Sequence, residues 1–237
     1  MTRPGIAGRF DGVFLSLDEP RADDLFARLC QSLGPVKRLH GVRPMRRAYQ
    51  LCAELADTEQ FFLADGDFDI DPGFDPDSVE PLAPGTAMRV WQAHNPVNGL
   101  TYGYGGLKLI RSAALRDLGE AVDVLAALPG EIEFVGTPAG TTRIDQSAYH
   151  AWKAGFRECA MLARGCEYGA TSTTSQQRRI TAWTSGGTGP HADEAAFGAR
   201  EGLTFAAASA DDPIAWAQLN DPAWLRARFA ESTGQVR

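Results

Sequence analysis

Asp65-Gly66-Asp67 follows directly on the apolar run Phe61-Phe62-Leu63-Ala64. Two carboxylates spaced i, i+2 at the exit of a buried strand can reach one hard cation. Such a cation neutralises a bound diphosphate and the charge that develops as it departs. Asp65 and Asp67 are therefore candidate ligands for Mn²⁺ or Mg²⁺. The acids continue through Asp69 and Asp71, which raises an EF-hand as a rival. That rival fails on position. Counted from Asp65, the sixth place is Ile70 instead of glycine and the twelfth is Pro76 instead of glutamate; counted from Asp69, Glu80 suits the twelfth place but Phe74 replaces the turn glycine. An acidic surface turn is the other reading of these residues.

Asp18-Glu19 leaves an earlier apolar run, Val13–Leu17, and a carboxylate there can accept hydrogen bonds from a nucleobase or a ribose hydroxyl. Capping the following helix is its alternative use. His40 closes a second short run, and Arg46 and Arg47 lie on the next helix, where they could contact a diphosphate or simply face solvent.

Asn95-Pro96-Val97-Asn98-Gly99 and Tyr104-Gly105-Gly106-Leu107-Lys108 form a second constellation. Adjacent glycines permit close backbone approach to a ligand, and Asn95, Asn98, Tyr104 and Lys108 supply donors and a flat face for a hydroxyl-rich one. A β-hairpin with glycine turns would explain Gly105 and Gly106 but not the density of Asn and Tyr. Lys108 is a catalytic candidate. Asp145 is another, as a base, or else an ordinary helix N-cap. His94 and His191 are candidate nitrogen ligands for the metal, or solvated loop histidines. The stretch Gly186–Gly202, with five glycines, reads as a mobile loop that could close as a lid.

These residues need a scaffold. Val13–Leu17, Val36–His40 and Gln60–Ala64 read as strands. Between them Leu25, Phe26, Leu29, Cys30 and Leu33, and then Met45, Ala48, Tyr49, Cys52 and Leu55, keep helical spacing. Strand–helix–strand–helix–strand predicts a parallel, doubly wound sheet, which binds ligands outside the carboxyl ends of its strands. Asp18, Glu19, His40 and Asp65 all fall at those ends. Further along, Thr86–Ala93 and Glu131–Val135 read as strands, Asn95–Gly106 as a loop or hairpin, and Tyr149, Trp152, Phe156, Cys159 and Ala163 as the stripe of a long helix. Pro213–Gln218 and Pro222–Ala230 read as terminal helices. The expected organisation is a loose leader over residues 1–10 and one α/β domain over 11–237, with a nucleotide-binding half at about 11–93 and an acceptor half at about 94–237.

The 237 residues suffice for one sizeable core, and no apolar stretch approaches the roughly 20 residues of a membrane span. No signal segment is visible, and four cysteines without a CxxC pair suit reduced thiols in a cytoplasm. A net charge of −7 argues against a basic coat for nucleic acid, although Lys37, Arg38, His40, Arg43, Arg46 and Arg47 make one local basic patch.

The run Phe-Phe-Leu-Ala-Asp-Gly-Asp resembles a GT-A-type glycosyltransferase. Five strings extend the likeness to a phage-enriched group, the TET-associated glycosyltransferases: Asp18-Glu19-Pro20, His40-Gly41-Val42, Asn95-Pro96-Val97-Asn98-Gly99, Tyr104-Gly105-Gly106-Leu107-Lys108-Leu109 and Trp152-Lys153-Ala154-Gly155-Phe156-Arg157-Glu158-Cys159. The resemblance spans residues 11–165. It implies a GT-A-like Rossmann-type sheet and transfer of a sugar from a nucleotide-diphosphate sugar, a UDP-sugar, to 5-hydroxymethyl pyrimidine in DNA. By that likeness Asp65 and Asp67 hold the metal, Asp18 and Glu19 face the base, Asn95–Lys108 lines the sugar and acceptor, and Arg157 reaches a phosphate. A glycosyltransferase acting on polysaccharide or protein, a nucleotidyltransferase and a silent nucleotide-sugar-binding module are the rival readings.

Overall fold

The computed structural model describes residues 9–103, 105–167 and 172–234. The fold is α/β, a mixed sheet flanked by helices. Its backbone groups into two compact units. The first gathers the chain up to His94 together with Thr101–Gly119 and Leu128–Arg143; the second gathers Asn95–Leu100, Glu120–Ala127 and the chain from Ile144 onward.

In the first unit, β1 (Asp11–Ser16), α1 (Ala22–Leu33), β2 (Val36–His40), α2 (Met45–Leu55) and β3 (Gln60–Asp65) follow the order the apolar spacing predicts. β1 pairs with β2 and β3 in parallel. Phe14, Phe62 and Ala64 pack with Leu25 and Leu29 of α1 in one core, while α2 buries Ala48, Tyr49, Cys52 and Ala53. The acidic stretch hides a short strand, β4 (Phe68–Ile70), in which Phe68 and Ile70 are buried and Asp69 alternates outward. The spaced acids are thus in part the polar phase of a period-two pattern.

The sheet continues through β5 (Thr86–His94), β6 (Thr101–Tyr102), β7 (Leu107–Arg111) and β8 (Glu131–Thr142). Among the described residues it has eight strands in the order β2-β1-β3-β7-β5-β8-β4, with β6 paired to β5. β1, β2, β3, β5 and β8 run one way, whereas β7, β4 and β6 run against them. A five-residue helix, α3 (Ser112–Arg116), follows β7 and meets α2.

The second unit is helical: α4 (Ala148–Arg164), α5 (Thr173–Thr184), α6 (Ala192–Ala208), α7 (Pro213–Ala217) and α8 (Pro222–Ser232). Trp152, Phe156, Phe205, Trp216 and Phe229 form its aromatic core. The expected mobile loop over Gly186–Gly202 is largely α6 instead. Its glycines mark helix contact: a Cβ at Gly198 would strike the Trp152 carbonyl, one at Gly202 the Phe156 carbonyl, and one at Gly155 the Ala195 carbonyl. Gly costs roughly 1 kcal/mol in a helix, and here the close approach of two alanine-rich helices offsets it. Among the described residues no helix is long and apolar enough to cross a membrane.

Candidate functional site

Parallel pairing sets Ser16 opposite His40 and Leu15 opposite Asp65, so the ends of β1, β2 and β3 share one sheet edge. The Ser16 Oγ lies 3.0 Å from His40 Nδ1, and Arg38 Nε donates to the same oxygen at 3.2 Å. Arg38 and His40 are two residues apart on β2 and therefore share a face. Arg38 Nη1 also donates to Asp23 at 2.5 Å, and its guanidinium lies 5.7 Å from the Phe14 ring centroid and 5.5 Å from that of Phe26. Three anchors fix this arginine's plane.

Glu19 sits in the turn after β1, with Asp18 half-buried beside it. Glu19 Oε2 accepts the Leu17 N–H at 2.7 Å, and the Glu19 carbonyl accepts the Ala22 N–H at the start of α1. Gly66 closes in from β3: a Cβ there would lie 2.5 Å from Glu19 Oε2 and 2.8 Å from Ser16 Cβ. Glycine in the middle of Asp65-Gly66-Asp67 is enforced by Ser16 Cβ, which cannot turn away, more than by the Glu19 carboxylate at the end of its flexible side chain. Glu19, Pro20, Ala22, Asp23, Arg38 and His40 line a cleft of about 490 Å³. Among the described residues, Arg38 Nη2, His40 Nε2 and Glu19 Oε1 have no hydrogen-bond partner, so the cleft presents unspent donors and an unspent acceptor.

Asp65 has a partner the spacing did not announce. Antiparallel β7 places Lys108 opposite Leu63, and its ammonium, fully buried, contacts Asp65 Oδ1 at 2.7 Å. Burial raises the Asp65 carboxyl above its ordinary value, with Lys108 pulling the other way and Glu19 adding to the rise. The nearby Cys52 thiol is pushed up to about 12, chiefly by burial. Lys108 is therefore committed to Asp65, with its ammonium buried. The acids beyond divide in the same way: Asp69 holds Arg28 through both carboxylate oxygens at 3.0 Å, and Asp71 accepts the Gly73 N–H at 2.7 Å. Asp67 is half-buried, and its carbonyl accepts the Arg143 N–H at 2.6 Å.

Among the described residues, no three His, Cys, Asp or Glu side chains group closely enough to cage a metal. With Asp65 on Lys108, the donor set does not fit an all-protein site. It does fit a Mg²⁺- or Mn²⁺-type ion that keeps waters and shares phosphate oxygens, because such an ion needs only one or two carboxylates.

Gly105 and Gly106 adjoin Asp65, whose N–H donates to the Gly106 carbonyl at 3.0 Å. The Phe68 ring covers the place where a Gly106 Cβ would stand, so packing accounts for that glycine. Tyr104 lies outside the described residues. Arg46 donates to the Leu118 carbonyl at 2.8 and 3.1 Å. Lys37 pairs with Asp57 and Asp11, and Arg47 with Glu54, so much of the basic patch is neutralised locally. His94, at the end of β5, has Nδ1 3.5 Å from Thr101 Oγ1.

The second unit holds the remaining candidates. Asn95 Oδ1 accepts the N–H groups of Val97 and Asn98 at 3.0 and 3.4 Å, and Asn98 Oδ1 accepts that of Leu100 at 3.0 Å, an arrangement that folds the loop on itself. The Nδ2 atoms of both are buried without a protein partner among the described residues. Asp145 is buried in a short helical turn, and Ser147, whose Oγ accepts the His150 N–H, caps α4 in its place. His191 precedes α6 with a φ of 60° and has Nδ1 3.6 Å from Glu194. Arg157 donates to the Leu219 carbonyl and Asn220 Oδ1, and Arg179 is buried between Glu158 and Glu167. Arg179's guanidinium is taken up by those two carboxylates, whereas Arg157 is held through Nε and Nη2 alone.

Sequence reasoning missed Ser16 and Asp23, and counted Arg38 only as part of the basic patch. The one signal available was the period of two that aligns Arg38 with His40. Comparison with family models, with curated proteins and with solved structures finds no match for this chain.

Proposed function

We propose that the chain is a cytoplasmic glycosyltransferase that takes a nucleotide-diphosphate sugar, a UDP-sugar, as donor and a hydroxyl group as acceptor. The observation that carries this reading is the cleft at the ends of β1 and β2, with unspent groups on Glu19, Arg38 and His40 and the Asp65-Gly66-Asp67 turn against its wall. Nucleotides bind outside the carboxyl ends of parallel strands, where loops and helix starts converge. The nucleoside would occupy the cleft and the diphosphate would extend toward Asp67. A divalent cation bound with the diphosphate would supply charge neutralisation for the leaving group. Lys108 holds Asp65 in place, and Gly66 keeps Glu19 clear for the base. The free thiols of Cys30, Cys52, Cys159 and Cys166 agree with a reducing compartment.

The acceptor we propose is 5-hydroxymethyl pyrimidine in DNA, and this part rests on the resemblance of the motif strings. A duplex would have to offer that hydroxyl in the major groove or flip the base out. A second reading, a nucleotide-sugar-binding module without turnover, is favoured by one observation: Asp65 is committed to Lys108.

Incubation with Mn²⁺ and a pool of nucleotide sugars tests both readings. Transfer or slow hydrolysis releases nucleoside diphosphate, whereas binding without release supports the silent module and pyrophosphate release would identify a nucleotidyltransferase. Hydroxymethylcytosine DNA should gain one sugar mass while unmodified DNA gains none. If neither changes while donor is consumed, the DNA acceptor is wrong.

A further inference from the structure

We infer that Arg143 binds the distal phosphate of the donor beside Asp67; the inference rests on the nucleotide reading above. Strand register puts it there. Phe68, Asp69 and Ile70 face Thr142, Thr141 and Gly140 across the antiparallel β4–β8 ladder. One residue closer to the turn, the Arg143 N–H donates to the Asp67 carbonyl at 2.6 Å, so Asp67 and Arg143 form the next pair. Residues opposite one another in an antiparallel pair carry their side chains on one face, with Cβ atoms about 5 Å apart.

Faces alternate along each strand. Phe68 and Thr142 point into the interior, so the pairs on either side, Asp67 with Arg143 and Asp69 with Thr141, point the other way and are half-buried. Arg28 of α1 holds Asp69 through both carboxylate oxygens at 3.0 Å. Arg143 stands instead at Asp67, the carboxylate proposed for the cation. The other cations around the turn are committed, Lys108 to Asp65 and Arg38 to Ser16 and Asp23.

An arginine is longer than an aspartate. A guanidinium that starts beside Asp67 therefore reaches past its carboxylate, to where the phosphate oxygens on a shared cation would lie. The planar fork suits two such oxygens at once. With the nucleoside in the cleft of Glu19 and His40, the distal phosphate is the one that comes to Asp67. The rival use of Arg143 is as a counter-charge for Asp67, and it predicts the opposite sign. Loss of a mere counter-charge would release the carboxylate for Mn²⁺, and the diphosphate would bind as tightly or more.

Calorimetry of the full chain tests this, with Mn²⁺ and the uridine, cytidine, adenosine and guanosine diphosphates, then with the monophosphate of whichever binds tightest. Arg143→Gln should weaken that diphosphate at least about tenfold and the monophosphate less than about twofold, because the lost charge-assisted bond serves the distal phosphate. Arg143→Lys keeps the charge but loses the fork. It should weaken the diphosphate about threefold, which decides the matter even if the glutamine variant unfolds. Arg28→Gln removes an equal, half-exposed charge from the same face and should leave both affinities within about twofold of the parent's. A diphosphate held as tightly by Arg143→Gln, a monophosphate weakened as much, or an equal loss in Arg28→Gln overturns the inference and leaves the nucleotide reading standing. No binding of any nucleoside diphosphate to the parent chain overturns both.

Discussion

Arg38 in the first unit and Arg179 in the second are each held by hydroxyl or carboxylate oxygens, and they stand in opposite states. Arg38 donates to Ser16 and to the largely exposed Asp23, keeps Nη2 unspent and lines an open cleft. Arg179 is about 6% exposed, donates through Nε and Nη2 to Glu158 Oε1 at 3.0 and 2.7 Å, and through Nη1 to Glu167 Oε2 at 2.7 Å. All of its nitrogens are spent, on two buried carboxylates. Spare hydrogen-bonding capacity at an open wall marks a place for a ligand. Spent capacity in the dry interior ties α4, the segment after it and α5 together. The charges differ as well: Arg38 and Asp23 cancel, whereas Arg179 faces two acids with Asp123 nearby. Burial pushes the Glu167 carboxyl up to about 7, with Glu158 and Asp123 adding to the rise and Arg179 opposing it.

The sharpest way to break this contrast is Arg179→Met. It would leave Glu158, and Glu167 where it is ionised, buried without their cation and should cost about 3–5 kcal/mol in urea unfolding at pH 8. A loss below about 1 kcal/mol would mean the cluster is solvated and belongs with Arg38. Next in size is the pH response. Glu167 holds its proton to about 7 in the fold against an ordinary 4.5, so its contribution is fully present below about 4.5 and drains away as pH rises to about 7. Stability should fall by about 3 kcal/mol across that window, the shift converted at 1.36 kcal/mol per pH unit. Glu167→Gln should remove most of that slope and raise the unfolding midpoint at pH 8. A parent chain whose stability is flat from pH 4.5 to 7 would show that Glu167 is not held as the geometry requires.

The cleft should answer in affinity instead. Asp67→Ala should abolish the Mn²⁺-dependent part of donor binding by calorimetry, with the fold checked by its far-UV circular dichroism. Binding that keeps its metal dependence would remove the cation from that carboxylate. Smallest of all, Ser16→Ala should cost about 1 kcal/mol of stability for its two hydrogen bonds, yet loosen both Arg38 and His40. Donor affinity unchanged in that variant would separate the serine from the site.

The sequence was most legible where one periodicity ruled. β1, β2, β3 and the helices between them follow from apolar spacing, because each buries one face. β4 was hidden by its own outward acids, and β7 by Lys108, a charge inside a strand whose other core positions are apolar. α6 was misread because its glycines were credited with freedom when they serve a tight helix contact. α5 offered little pattern, since Ile180 and Trp183 are its only large apolar residues. At the site, Glu19, His40 and Asp65 could be placed from strand ends. Ser16 with Arg38, and Asp65 with Lys108, depend on which residue faces which across neighbouring strands, and that register is not written in any local pattern.

The antiparallel insertion of β7 has an electrostatic consequence for the turn beside it. Lys108 cancels Asp65 inside the sheet, so a turn spelled with two aspartates presents a weaker negative field than its letters suggest. An incoming diphosphate would meet less repulsion than the sequence suggests. A chelator can strip a metal, but it cannot strip a lysine, and the affinity that survives chelation would measure how much of the donor's charge the chain tolerates unaided.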